Sequence, residues 1–233
     1  MGLWLDSADI EEVKTAAGLG FLAGVTTNPS IMARVKARPE DVIAQICEIV
    51  RGPVCYQVTG ETVAEREAEA RTFHAICPDK VVLKIPATTE NIGLIARLGP
   101  GIPCALTAVY SGAQTLAACA AGARYVIPYF NRASRLLGNG AELVAEMAAV
   151  IESCQADTQI LAASIKSTEE AVVATLAGAD HLTMPLEVFL ALGNHHLSDQ
   201  AIADFAADWS RSQNRSRTNH RDTGNTESRR REI

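Results

Sequence analysis

The run Val81-Val82-Leu83-Lys84-Ile85-Pro86 sets a lysine inside an otherwise apolar stretch, the pattern of a buried parallel strand. Side chains alternate along a strand, so Val82, Lys84 and Pro86 share one face while Leu83 and Ile85 share the other. If Leu83 and Ile85 pack on covering helices, Lys84 points into the middle of the fold near the strand's C-terminal end. Burial disfavours the charged form of an amine and frees it as a nucleophile, which is what Schiff-base chemistry on a ketone requires. The plainer alternative is a lysine on an edge strand, or one that extends its head to solvent.

Other runs carry polar residues at matching places. Counting back at period two from their ends gives an inward set of Asp6, Thr26, Asn28, Gln57, Lys84, Thr107, Tyr129 and Ser164. Strands filled for stability alone would place Val, Ile or Leu at most of these positions. A lysine, a phenol, a carboxylate, amides and hydroxyls suit carbonyl chemistry through an imine, in which Lys84 adds to a ketone and the iminium draws electrons from an adjacent C–C bond. Tyr129, Asp6 or a water held by Gln57 and Thr107 would take the proton that leaves the neighbouring hydroxyl. Thr26 and Asn28 are expected to meet substrate hydroxyls. Arg132 lies just beyond strand six, and Ser164 and Lys166 close strand seven and follow it; together they would hold a phosphate. Ordinary roles stand beside each of these: solvated loop charges for Arg132 and Lys166, a helix cap for Asp6, a core aromatic for Tyr129.

The elements that must position these groups are eight short apolar runs alternating with helical patterns from Leu3 onward. Regular alternation of this kind predicts a (β/α)8 barrel, an α/β fold with its functional groups at the C-terminal ends of the strands. A doubly wound open sheet is the alternative, but the chain has no G-x-G-x-x-G or G-x-x-x-x-G-K-[ST] phosphate loop to go with it. Asn28-Pro29-Ser30 reads as a polar turn, and the stretch between Tyr129 and Ala141 as a glycine-bearing loop. Asp199 to Trp209 reads as one more amphipathic helix. The apolar pattern then stops, so the expected division is a catalytic barrel over residues 1–210 and a disordered, basic polar tail over 211–233.

Composition narrows the function classes. The chain of 233 residues is 48% apolar but only 5% aromatic, which suits closely packed helices around a Val/Ile/Leu sheet. No apolar run reaches the ~20 residues of a membrane span, and the acidic N-terminal stretch does not read as a signal peptide. The tail holds seven Arg against three acidic residues, a net charge of +4, which leaves −10 for residues 1–210 within the overall −6. An acidic body does not suggest nucleic acid. The six cysteines are scattered without C-x-x-C or Cys/His spacing and read as reduced thiols of a cytoplasmic protein. Neither they nor the His195-His196 pair has the company of a metal site, so no metal and no cofactor is expected.

Several blocks resemble one family. Leu5-Asp6-Ser7, Gly24-Val25-Thr26-Thr27-Asn28-Pro29-Ser30, Val82-Leu83-Lys84-Ile85-Pro86, Ala121 to Tyr125, Ile160 to Ser164 and Asp208-Trp209 are similar to the small transaldolases and fructose-6-phosphate aldolases. The resemblance spans residue 3 to about 210. It implies a (β/α)8 barrel, a metal-free class I mechanism with Lys84 as the Schiff-base lysine, and phosphate binding at Arg132, Ser164 and Lys166. It also implies a ring-built homo-oligomer, commonly a decamer. Small transaldolases have Glu-Val in strand three and Pro-Phe-Leu-Gly-Arg after strand six; this chain has Gln57-Val58 and Pro128-Tyr129-Phe130-Asn131-Arg132, which resembles the aldolase branch. That branch implies cleavage of fructose 6-phosphate to dihydroxyacetone and glyceraldehyde 3-phosphate. Transfer of a dihydroxyacetone unit between sugar phosphates of the pentose phosphate pathway is the alternative, and a sugar-phosphate-binding barrel without turnover a more distant one.

Overall fold

The computed structural model describes the backbone of residues 1–227 and the side chains of residues 1–213. Eight strands form a closed parallel barrel in sequence order: β1 (Gly2–Asp6), β2 (Leu22–Thr26), β3 (Val54–Gln57), β4 (Val81–Pro86), β5 (Cys104–Val109), β6 (Tyr125–Pro128), β7 (Gln159–Ala162) and β8 (His181–Met184). β8 pairs with β1, Leu5 opposite Met184, and completes the ring. The helices α1 (Ile10–Gly18), α2 (Pro29–Met32), α3 (Pro39–Ile49), α4 (Val63–Ile76), α5 (Thr89–Leu98), α6 (Gly112–Ala120), α7 (Phe130–Leu137), α8 (Gly140–Cys154), α9 (Thr168–Leu176) and α10 (Leu186–Ala191) occupy the connections. This is the (β/α)8 architecture expected from the alternating pattern.

Local chemistry sets the helix starts. Asp9 caps α1, Thr88 caps α5, Ser111 caps α6 and Ser167 caps α9, each by accepting a backbone N–H of the first turn. Thr62 and Glu65 close a reciprocal capping box at α4.

The pleat divides the apolar residues as strand parity requires. Leu83, Ile85, Leu106 and Val126 pack outward in the core shared with helix residues such as Ile43 and Leu94. Trp4, Cys55, Val82, Ala105, Tyr125, Ile127 and Leu161 fill the barrel interior. Toward the N-terminal ends of the strands the rings of Trp4, Tyr125 and His181 lie 5.6 to 5.8 Å apart in edge-on or tilted contacts and floor the barrel. Gly24 makes room for this floor: a Cβ there would stand 2.6 Å from the Trp4 ring and 2.7 Å from the Pro53 carbonyl. Apolar packing thus fills the lower interior and leaves the upper end to polar groups.

Three segments depart from the sequence expectation. Asn28-Pro29-Ser30 is not merely a turn but opens α2, with Asn28 as cap and Pro29 in the first turn. The stretch after β6 is mostly helix α7, ending at Gly138 in the left-handed conformation; its glycines sit at the helix end, where they stop a helix rather than prevent one. At the C-terminus the chain divides at Leu192/Gly193, and the second unit carries α11 (His196–Glu227). The backbone of residues 211–227 is therefore helical rather than irregular. The apolar period ends at Trp209, but helix continuation needs backbone hydrogen bonds, not a buried face, and no proline interrupts this stretch. Residues 228–233, the rest of the expected tail, lie outside the described residues. Among the described residues no helix is long and apolar enough to cross a membrane.

Candidate active site

Strand register brings the polar ends level. Asp6 pairs with Thr26, Gln57 with Lys84, and Pro86 with Thr107 across adjacent strands. Beyond the strand ends, the Tyr129–Ala163 bridge extends the β6–β7 ladder by one step. The result is a cavity of about 580 Å3 at the C-terminal end of the barrel, with Asp6, Asn28, Gln57, Lys84, Tyr129, Arg132, Ser164 and Lys166 in its wall.

Lys84 is only 3% exposed, and its Nζ donates to the Thr27 carbonyl at 2.9 Å. Val82 shares its side of β4, and Ala105 is its register partner on β5. Cys55 is buried within electrostatic reach of both Lys84 and Asp6: burial pushes its thiol up to about 12, with Lys84 opposing and Asp6 reinforcing the shift. Asp6 accepts from the Thr26 hydroxyl at 2.8 Å, and the Thr26 and Thr183 hydroxyls lie 2.6 Å apart. The Tyr129 hydroxyl accepts from Thr107 at 3.3 Å. Gln57 carries a buried side-chain oxygen with no protein partner, a free acceptor in the cavity wall.

The mouth is cationic. Arg132, on the first turn of α7, stacks its guanidinium 5.0 Å from the Tyr129 ring centroid. Lys166 and Ser164 enter from the β7–α9 connection. Arg34, just past α2, lines the same cavity and was not marked by sequence reasoning. Cationic side chains around a polar pocket, with a serine hydroxyl beside them, suit an anionic group such as a phosphate.

Three placements correct the sequence expectation. Thr26 and Thr107 are fully buried behind the cavity wall, bonded to Asp6 and Tyr129 rather than presented to a ligand. Thr26 is thus placed to hold Asp6 and does not line the cavity itself. Ser164 does reach the cavity, but not by strand parity, since the inward residue at that level of β7 is Ala163. The chain leaves the strand at Ser164 with φ of +62°, and this left-handed step turns its side chain into the mouth. Thr183 was missed, although a period-two count along β8 points it inward. Arg34 was missed because the segment after Asn28 read as a turn; the Asn-Pro start of α2 was the available signal. Among the described residues no group of three or more His, Cys, Asp or Glu is arranged to hold a metal ion.

Comparisons with known proteins agree with this fold. The model of the transaldolase/fructose-6-phosphate aldolase family matches residues 3–229. Curated relatives include a "Probable transaldolase" of Phenylobacterium zucineum, 41% identical over 214 residues (91% of this chain, 97% of the relative). Another of that name, from Lactiplantibacillus plantarum, is 40% identical over 210 residues (90% and 96%). Solved structures match in fold alone. A "putative deoxyribose-phosphate aldolase" from Coccidioides immitis superposes with a TM-score of 0.58 at 17% identity, covering 80% of this chain and 81% of that one. A mandelate oxidase reaches 0.59 at 14% identity, covering 83% and 67%. With a family model spanning nearly the whole chain and relatives at about 40% identity over nine-tenths of it, this protein belongs to the transaldolase/fructose-6-phosphate aldolase family of enzymes.

Proposed function

We propose that the protein is a class I aldolase that cleaves fructose 6-phosphate to dihydroxyacetone and glyceraldehyde 3-phosphate, and runs the reverse addition. The observation that carries this reading is a buried lysine amine and a phenol sharing one polar cavity, with a glutamine where a carboxylate would mark a transaldolase. The amine of Lys84 adds to the ketone carbon, and loss of water gives an iminium. The C3–C4 bond then breaks, its electrons pass into the iminium, and the C4 hydroxyl proton leaves to Asp6, directly or through a water held by Gln57 and Tyr129. Glyceraldehyde 3-phosphate departs. The remaining enamine takes a proton at carbon, and water releases dihydroxyacetone and restores Lys84. Asn28 would hydrogen-bond the ketose hydroxyls, and Arg132, Ser164 and Lys166 the phosphate. No cofactor enters this scheme.

One observation favours transaldolase as a second reading: curated relatives at about 40% identity carry that name. Both readings share Lys84 and the imine. They differ in whether water or a second aldose phosphate collects the three-carbon unit. Fructose 6-phosphate supplied alone should yield free dihydroxyacetone, and borohydride should trap substrate carbon on Lys84. Fast formation of sedoheptulose 7-phosphate from added erythrose 4-phosphate, with almost no dihydroxyacetone, would assign the transaldolase activity instead.

The six unpaired thiols support a reducing, cytoplasmic setting. Leu197, Ile202, Phe205 and Trp209 on α11 are each more than half exposed, which supports assembly into a homo-oligomer by covering apolar surface.

A further inference from the structure

The groups assigned to the phosphate come from two separate connections, β6–α7 with Arg132 and β7–α9 with Ser164 and Lys166. A phosphate site built on two connections needs their separation fixed, because long cationic side chains otherwise lose rotamer freedom on binding. Glu170, in the first turn of α9, bridges them. Its Oε1 accepts from Asn131 Nδ2 at 2.6 Å, and its Oε2 accepts from the Lys166 backbone N–H at 2.8 Å. Asn131 immediately precedes Arg132, and its own backbone N–H donates to the Ser164 carbonyl at 3.3 Å.

A glutamate at this helical position ordinarily reaches back to the capping residue itself, as Glu65 does to Thr62 in α4. Glu170 instead reaches past Ser167, whose hydroxyl accepts the Glu170 N–H at 3.2 Å, to the residue before it and across to α7. Ser164 sits at this junction in the left-handed conformation, with φ of +62°. A non-glycine residue held there needs surrounding bonds to keep it in place.

We propose that Glu170 is a positioning residue for phosphate recognition: it clamps the Arg132 turn to the Ser164–Lys166 connection and so sets the gap that a phosphoryl group fills. The inference rests on the phosphate reading given above. Glu170 touches no substrate; its carboxylate is engaged by Asn131 and the Lys166 backbone. Its loss should weaken phosphate binding while leaving the chemistry at Lys84 in place.

The test compares aldol addition of dihydroxyacetone to glyceraldehyde 3-phosphate and to unphosphorylated glyceraldehyde, with inorganic phosphate as a competing ligand. Glu170→Ala should raise KM for the phosphorylated aldehyde and Ki for inorganic phosphate about 10-fold, the effect of a lost charge-assisted bond. Turnover with glyceraldehyde should stay within about twofold of the parent. Glu170→Gln should recover most of the affinity, because its amide accepts from Lys166 and donates to the Asn131 carbonyl oxygen after that amide flips. Asn131→Ala should reproduce the phosphate defect, which keeps the inference testable if Glu170→Ala folds poorly. Equal losses on both aldehydes, unchanged phosphate affinity in the alanine variants, or no recovery by glutamine would each overturn it. An Arg132→Ala variant with unaltered phosphate affinity would instead overturn the phosphate reading itself, and the inference with it.

Discussion

Lys84 Nζ donates to the Thr27 carbonyl at 2.9 Å, so the buried amine of β4 is aimed at the chain that leaves β2, one residue before Asn28. The bond fixes the direction in which the amine points. Lys84→Met keeps the length of the side chain, removes the nucleophile and leaves the Thr27 carbonyl without this donor, which costs about 1–3 kcal/mol. The variant should fold with a modestly lowered Tm, show no measurable retro-aldol activity and take up no substrate carbon on borohydride reduction. A Lys84→Met protein that still turns over would end the imine mechanism.

Arg132 offers a charge to the cavity mouth and stacks over Tyr129 at 5.0 Å. Arg132→Ala should raise KM for phosphorylated aldehydes at least about 10-fold, because a charge-assisted pair contributes roughly 1.5–3 kcal/mol. Rates with unphosphorylated acceptors should change little. Parallel losses with both kinds of acceptor would show that the arginine serves the Tyr129 ring and not the ligand.

His181 in the barrel floor gives the stability curve an acid limb. Burial holds its imidazole below the ordinary histidine value of 6.5. Below that value the unfolded chain binds a proton that the folded ring refuses, so stability falls as pH drops from about 6.5 through the folded value. Urea titrations of the parent and of His181→Leu between pH 7.5 and 5 should show a shallower decline for the variant. Identical slopes would mean that other groups carry the acid sensitivity.

Much of this arrangement was legible in the residues, and the failures share a cause. The single lysine in the apolar run of β4 announced its own direction, because parity along a buried strand leaves no choice once Leu83 and Ile85 go outward. What the pattern could not carry was backbone that leaves the strand: Ser164 turns on a positive φ, and α7 replaces an expected loop because Gly138 ends a helix rather than breaking one. Thr26 and Thr107 faced inward as counted, but their depth, and hence their contact with Asp6 and Tyr129 rather than with the cavity, depended on the register of neighbouring strands. Glu170 gave no signal at all, since its partner Asn131 lies 39 residues away in sequence.

In the proposed mechanism, Tyr129 is the residue that separates the two activities. Its hydroxyl accepts from Thr107 at 3.3 Å and shares a cavity with Lys84 and Gln57, so it can hold or relay the water and proton that an enamine on Lys84 needs for release. A phenylalanine ring fills the same space without that capacity. Tyr129→Phe should therefore slow dihydroxyacetone release from fructose 6-phosphate by about 100-fold, the lower end of what a positioned proton donor contributes. Transfer to erythrose 4-phosphate should fall much less, because the enamine carbon attacks the acceptor aldehyde directly and needs no protonation at carbon. Gln57→Glu, which installs the transaldolase residue, should shift the ratio of transfer to release in the same direction. Release and transfer that fall together in Tyr129→Phe would place the phenol in a step both activities share, such as imine formation, and would remove it as the residue that separates them.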